Sequence, residues 1–97
     1  MNIEKKTADG KLAIKLTGRL DTTTSPELES EMNLDGINEI EFDFSSLEYI
    51  SSAGLRILMM AQKAMMTRGG KMTVVNPNAT VRGVFDITGM SSIFTIV

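Results

Sequence analysis

The sequence contains no cysteine and no histidine. Without cysteine there is neither a disulfide framework nor a thiolate metal site. Without histidine a Ser-His-Asp triad cannot be assembled, the commonest general base is missing, and a zinc site would have to use carboxylates alone. A catalytic role for the chain's serines therefore lacks its usual activating partner. An excess of positive charge is missing too. Ten Lys and Arg face twelve Asp and Glu, for a net charge of -2, and the basic residues are scattered. Counterion release by a clustered basic surface is thus not available, and no nucleic-acid partner is expected. The longest apolar stretch, Leu55 to Ala61, is interrupted by Arg56 and falls far short of a bilayer span. The start of the chain has no basic segment followed by an apolar run. These absences lead to the expectation of one soluble, cytoplasmic domain over residues 1–97, with no direct membrane insertion.

Neither glycine pattern that cradles phosphate, GxxxxGKS/T or GxGxxG, occurs. Gly69-Gly70 follows a helical segment, where a C-cap belongs, rather than preceding one, where a nucleotide loop belongs. No cofactor is expected, and a small-ligand site is disfavoured.

What is present is regular. Asn2 to Thr7, then Ala8-Asp9-Gly10, then KLAIKL predicts a hairpin, since Asp-Gly supplies the positive φ angles of a tight connection. Leu12, Ile14 and Leu16 alternate with Lys11, Ala13 and Lys15. The same period recurs in NEIEFDF, through Ile40, Phe42 and Phe44, and in KMTVV, through Met72 and Val74. Such alternation means one buried and one wet face for the sheet. A short helix is predicted from about Pro26 to Asn33, opened by Ser25 as a cap and Pro26 at the first helical position. A longer one is predicted from about Ser52 to Arg68, and a third from near Asn78 to Gly89 with Val81, Val84 and Phe85 on one face. A final strand is predicted over Ile93 to Val97. The order ββαβαβαβ gives an α/β fold: a two-layer sandwich with a mixed β-sheet and helices packed on one face.

On the long helix Arg56, Lys63 and Thr67 fall on one stripe and Leu58, Ala61 and Met65 on the opposite one. Met60 lies beside the polar stripe, with Met59 and Met66 on its shoulder. These methionines are either a core edge or a surface that adapts to a protein partner. Glu39, Glu41 and Asp43 share the outward side of a strand and are read as a solvated surface. At the head of the helix, ISSAGLRIL (Ile50 to Leu58) places two serines where free backbone N–H groups and the positive end of the helix dipole gather. Such a serine is either a routine cap or a place where a phosphate would be well tolerated.

Three segments then point further: DFSSLEYISSAGLRIL, LTGRLD at Leu16 to Asp21, and VRGVFDITGMSSIF at Val81 to Phe94. Together they resemble the STAS domain of bacterial anti-anti-sigma factors. The resemblance implies a non-enzymatic switch that binds an anti-sigma factor, itself a serine kinase, and thereby releases a sigma factor. Phosphorylation of one serine at the head of the second major helix would end the interaction. The family's wording places that serine at Ser52, followed by Ala53, Gly54 and Leu55, with Ser51 as the alternative acceptor. Asp21 matches an acid in the loop beside the site. Ser51 stands where the family commonly has an acid. The implied partner surface comprises Asp21, Ser51, Ser52, Ala53, Gly54, Leu55, Arg56 and Met60. Similar domains also regulate transporters, so a regulatory subunit of a membrane transporter or lipid-transport complex is the alternative.

Overall fold

The computed structural model describes residues 1–97. The elements are β1 (Asn2–Ala8), β2 (Lys11–Leu20), α1 (Ser25–Ser30), β3 (Glu39–Ile50), α2 (Ser52–Thr67), β4 (Lys71–Val75), α3 (Ala79–Thr88), a 3₁₀ turn (Met90–Ser92) and β5 (Thr95–Ile96). They form one five-stranded sheet in the order β1-β2-β3-β4-β5. β1 runs antiparallel to β2, and every later neighbour is parallel. The first hairpin closes through Asp9 and Gly10 at φ 51° and 80°, the left-handed pair that a two-residue connection requires.

Register explains the two faces. Leu12, Ile40 and Met72 lie side by side across three strands, as do Ile14, Phe42 and Val74, and all are buried under the helices. On the opposite face Lys11, Glu39 and Lys71 are neighbours, and Lys15 pairs with Asp43. Lys11 reaches Glu41 at 3.4 Å and Glu39 at 3.7 Å, so the uncovered face alternates in sign. The core beneath the helices is one cluster of 21 apolar residues. Phe42, Phe44, Phe85 and Phe94 run through it as a chain of tilted and edge-on ring contacts, with centroids 5.5–6.4 Å apart.

β3 extends six residues past the predicted NEIEFDF, to Ile50. Its pairing with β2 shifts between Lys15 and Thr17 and again between Gly18 and Arg19. Each bulge adds a residue on β3, so the inward side chains after Phe44 are Leu47 and Ile50, three apart instead of two. Asp43 Oδ1 accepts the Ser45 N–H at 2.9 Å and pins the first bulge. That hydrogen bond, followed by one from the Ser45 side chain and the charge of Lys15, holds the Asp43 carboxyl below its ordinary pKa of 3.8. Asp43 is therefore a bulge anchor as well as a surface acid.

Three further boundaries differ from expectation. α1 ends at Ser30 instead of Asn33, because Glu31 and Met32 close back onto Leu28 and Glu29 through their N–H groups. Ser25 is not its cap: it is buried within α1, its hydroxyl donating to the Asp21 carbonyl at 2.5 Å. β5 covers only Thr95–Ile96, since the 3₁₀ turn carries the chain as far as Ile93 and the Phe94 N–H donates to Met90 at 2.9 Å. α2 stops as predicted at paired glycines, with the Gly70 N–H on the Met65 carbonyl at 2.8 Å and that of Gly69 on Met66 at 3.2 Å.

Two glycines in helices offer opposite tests of the packing. A Cβ on Gly54 would sit 2.8 Å from Leu20 Cγ and 2.9 Å from Ile50 Cγ1, whereas one on Gly83 meets nothing within 4 Å. Gly54→Ala should lose about 1–3 kcal/mol through overpacking. Gly83→Ala should gain about 0.5–1 kcal/mol from helix propensity. Urea unfolding of both variants beside the parent measures the difference.

Candidate functional site

The parallel strands β2 and β3 end together, with Leu20 beside Ile50. The Ser51 N–H donates to the Leu20 carbonyl at 2.9 Å, which ties the start of α2 to the end of β2. Asp21, the next residue after Leu20, therefore lies alongside the Ser51-Ser52 turn. The structure brings these predicted residues together although thirty positions separate Asp21 from Ser51.

The two serines have different duties. Ser51 has extended backbone (φ -99°, ψ 176°), and its hydroxyl accepts the Gly54 N–H at 3.4 Å. It is the N-cap. Ser52 is the first helical residue and is exposed. Its own N–H and that of Ala53 have no acceptor within the helix, while the Leu55 N–H bonds to Ser51 O at 2.9 Å. The Ser52 hydroxyl is therefore free of the capping duty, and no acid stands in the first turn of α2.

Gly54 and Leu55 do not belong to the outer surface. Gly54 is buried against Leu20 and Ile50, and Leu55 is only 7% exposed. Both shape the site from beneath. Ile57, Leu58, Ala61 and Met65 continue the buried face. Arg56 is exposed, with its guanidinium 3.5 Å from Glu29 of α1 and donating to Met60 Sδ at 3.3 Å. Met60 is 48% exposed and so is not a core residue. Met59 and Met66 are exposed as well. Glu29 escapes detection in the sequence because only the packing of α1 on α2 brings it to Arg56.

Asp21 is an organised acid. Its Oδ1 accepts N–H groups from Thr24 at 3.1 Å and Thr23 at 3.0 Å, and the Thr24 hydroxyl at 3.2 Å. The Thr24 backbone bond is the main cause of a carboxyl pKa held below 3.8, with Thr23, the Thr24 hydroxyl and Arg19 adding to it. Arg19 lies 3.9 Å from the Asp21 carboxylate and stacks over Tyr49 at 4.6 Å. Asp21 thus stays charged at neutral pH and fixes the loop between β2 and α1 in a tight turn.

The structure thus places an exposed serine at the head of α2 beside the capping Ser51 and the organised Asp21, with Arg56 and Met60 exposed on the next turns. No group of three or more acidic side chains is gathered to hold a metal ion. No helix is long and apolar enough to cross a membrane. The STAS domain family model matches residues 2–97, and the chain belongs to this family. BtrV of Bordetella bronchiseptica, named as a candidate anti-sigma factor antagonist, is 31% identical over 99% of this chain and 85% of its own length. The anti-sigma-B factor antagonist of Staphylococcus aureus is 28% identical over 99% of this chain and 92% of its own. The anti-sigma factor antagonist SpoIIAA in its unphosphorylated form shares the fold at a TM-score of 0.86, with 19% identity over 99% of this chain and 88% of that one. Its phosphorylated form gives 0.78, with 18% identity over 99% and 91%. These relatives are named as regulatory proteins, not as enzymes.

The cap assignment separates the serines experimentally. Ser51→Ala should cost about 0.5–1 kcal/mol of stability, as loss of an N-cap does. Ser52→Ala should stay within about 0.5 kcal/mol of the parent, as exposed substitutions do. Chemical denaturation of the pair decides, and equal losses would contradict the assignment.

Asp21 gives a pH test. Its folded pKa lies below the unfolded value of 3.8, so its contribution is complete above 3.8 and fades as pH falls through the folded value. The stability gap between the parent and Asp21→Asn should hold steady above about pH 5 and narrow in acid. Thermal melts across a pH series measure it.

Proposed function

We propose that this chain is an anti-sigma factor antagonist: it binds an anti-sigma factor that is a serine kinase, releases the sigma factor, and is switched off when that kinase phosphorylates Ser52. The carrying observation is that Ser52 stands exposed at the first position of α2 while Ser51 takes the capping role. The names of the relatives support the partner class. Two forms of SpoIIAA, one phosphorylated, support a modification compatible with this fold. The site of action would be the cytoplasm.

The switch follows from charge. A phosphate adds about -1.5 to -2 charges and three acceptor oxygens. The unpaired Ser52 and Ala53 N–H groups and the positive end of the α2 dipole favour that charge, so the helix survives it. A partner packed against neutral Ser52, Ala53, Arg56 and Met60 meets instead a hydrated dianion beside the ionised Asp21. Burying such a charge without a counter-ion costs several kcal/mol, which is orders of magnitude in affinity. Ser51 and Asp21 hold the turn, while Gly54 and Leu55 support it from the core.

The test is incubation with candidate anti-sigma kinases and ATP, followed by phosphosite mapping and affinity capture. Phosphate is expected on Ser52 and absent from Ser52→Ala, which should still capture the kinase and remain bound when ATP is added. Phosphate on Ser51, or undiminished phosphorylation of Ser52→Ala, would overturn the assignment.

A further inference from the structure

Beyond the first two turns of α2 the surface changes character. Met59, Met60 and Met66, joined by Ile93 after the 3₁₀ turn, line an open groove of about 310 Å³. Met66 is 68% exposed and Met60 48%, an uncommon outlay of large apolar side chains on a domain this small. Arg56, whose exposed guanidinium also faces Glu29 of α1 at 3.5 Å, and Lys63 stand on its border, and no acid lines the groove itself. Arg56 and Lys63 are seven residues apart, which places them on one side of the helix, separated along its axis by roughly 10 Å at 1.5 Å per residue.

Gln62, which also lines the groove, adds a polar irregularity. Its Oε1 is buried without a hydrogen-bond partner, while its Nε2 donates to the Ile93 carbonyl at a long 3.4 Å. A buried acceptor without a partner is costly, so this side of the groove is not fully satisfied by the chain itself.

We propose that this groove docks an acidic amphipathic segment of a protein partner, with apolar side chains on the methionines and Ile93 and carboxylates two helical turns apart on Arg56 and Lys63. Polarizable, unbranched methionines repack around such a segment. Charge complementarity selects its sign, and the two separated cations favour a peptide over a fatty acid, which has one carboxylate. The groove continues from Met60 and Arg56, so the inference deepens the proposed function and rests on it for the partner's identity, the anti-sigma factor. Its chemistry stands without that identity.

The test is NMR of the full chain carrying ¹³C-methyl methionine. The probe is a synthetic amphipathic helical peptide with leucines on one face and two glutamates seven residues apart. A matched peptide carries lysines in place of the glutamates, and laurate is titrated separately. The Met59, Met60 and Met66 methyl signals should move with the acidic peptide while those of the buried Met65 and Met72 stay still. Binding should weaken at least tenfold for the lysine peptide and for Lys63→Glu, and Lys63→Glu should prefer the lysine peptide. Methyl signals that do not move, shifts indifferent to peptide charge, or tighter binding of laurate than of the acidic peptide would overturn the proposal. No kinase is present in this titration, so its failure is separate from a failure of Ser52 phosphorylation.

Discussion

The first turn of α2 rests directly on the ends of two parallel strands, with no side chain between the Gly54 backbone and the Leu20 and Ile50 side chains beneath it. This close approach fixes the height and direction of the helix. The Ser51 N–H on the Leu20 carbonyl fixes its rotation at the same point. Ser51 then caps, Ser52 is turned outward, and Asp21 is carried alongside by the strand that supplies Leu20. Both the exposure of one serine and the presence of an acid beside it are thus consequences of core packing. A larger residue at position 54 would disturb them together from within the core.

The two faces of the sheet divide the labour. One is covered by α2 and α3 over an uninterrupted apolar core. The other is left open, and its lysines and acids alternate across strands, so their charges offset each other locally. Exposed pairs of this kind contribute little stability each. Their effect is to give the face neither an apolar patch nor a charge of one sign. Along α2 the surface passes from a polar, serine-bearing head to a methionine-lined groove.

Much of this organisation is legible in the sequence where period and burial coincide. Leu12, Ile14 and Leu16 alternate without interruption, and the α2 stripe through Leu58, Ala61 and Met65 turns inward as its spacing requires. The same period also turns Leu55 inward; its place on a partner surface came from the resemblance, which identifies a motif without saying which members face solvent. Beyond Phe44 the alternation fails because two bulges move Leu47 and Ile50 into phase, and their register is set by pairing with β2, with the Asp43–Ser45 contact as the one local support. Which of two adjacent serines caps α2 depends on where the backbone leaves the extended region, and that is decided by the bond to Leu20. The contact of Glu29 with Arg56 and the junction of Ile93 with the methionines join distant segments and carry no local signal.

In the proposed switch, charge added at Ser52 alters recognition while the fold that presents it stays intact. The most direct measurement uses one preparation of the chain carrying phosphoserine at position 52, with its unfolding free energy and its affinity for the anti-sigma factor determined beside those of the unmodified protein. The expected result is an unfolding free energy that is equal or slightly higher, by up to about 1 kcal/mol from the helix dipole, together with affinity lower by at least a hundredfold. Unchanged affinity, or a loss of affinity that tracks the melting of α2, would contradict it.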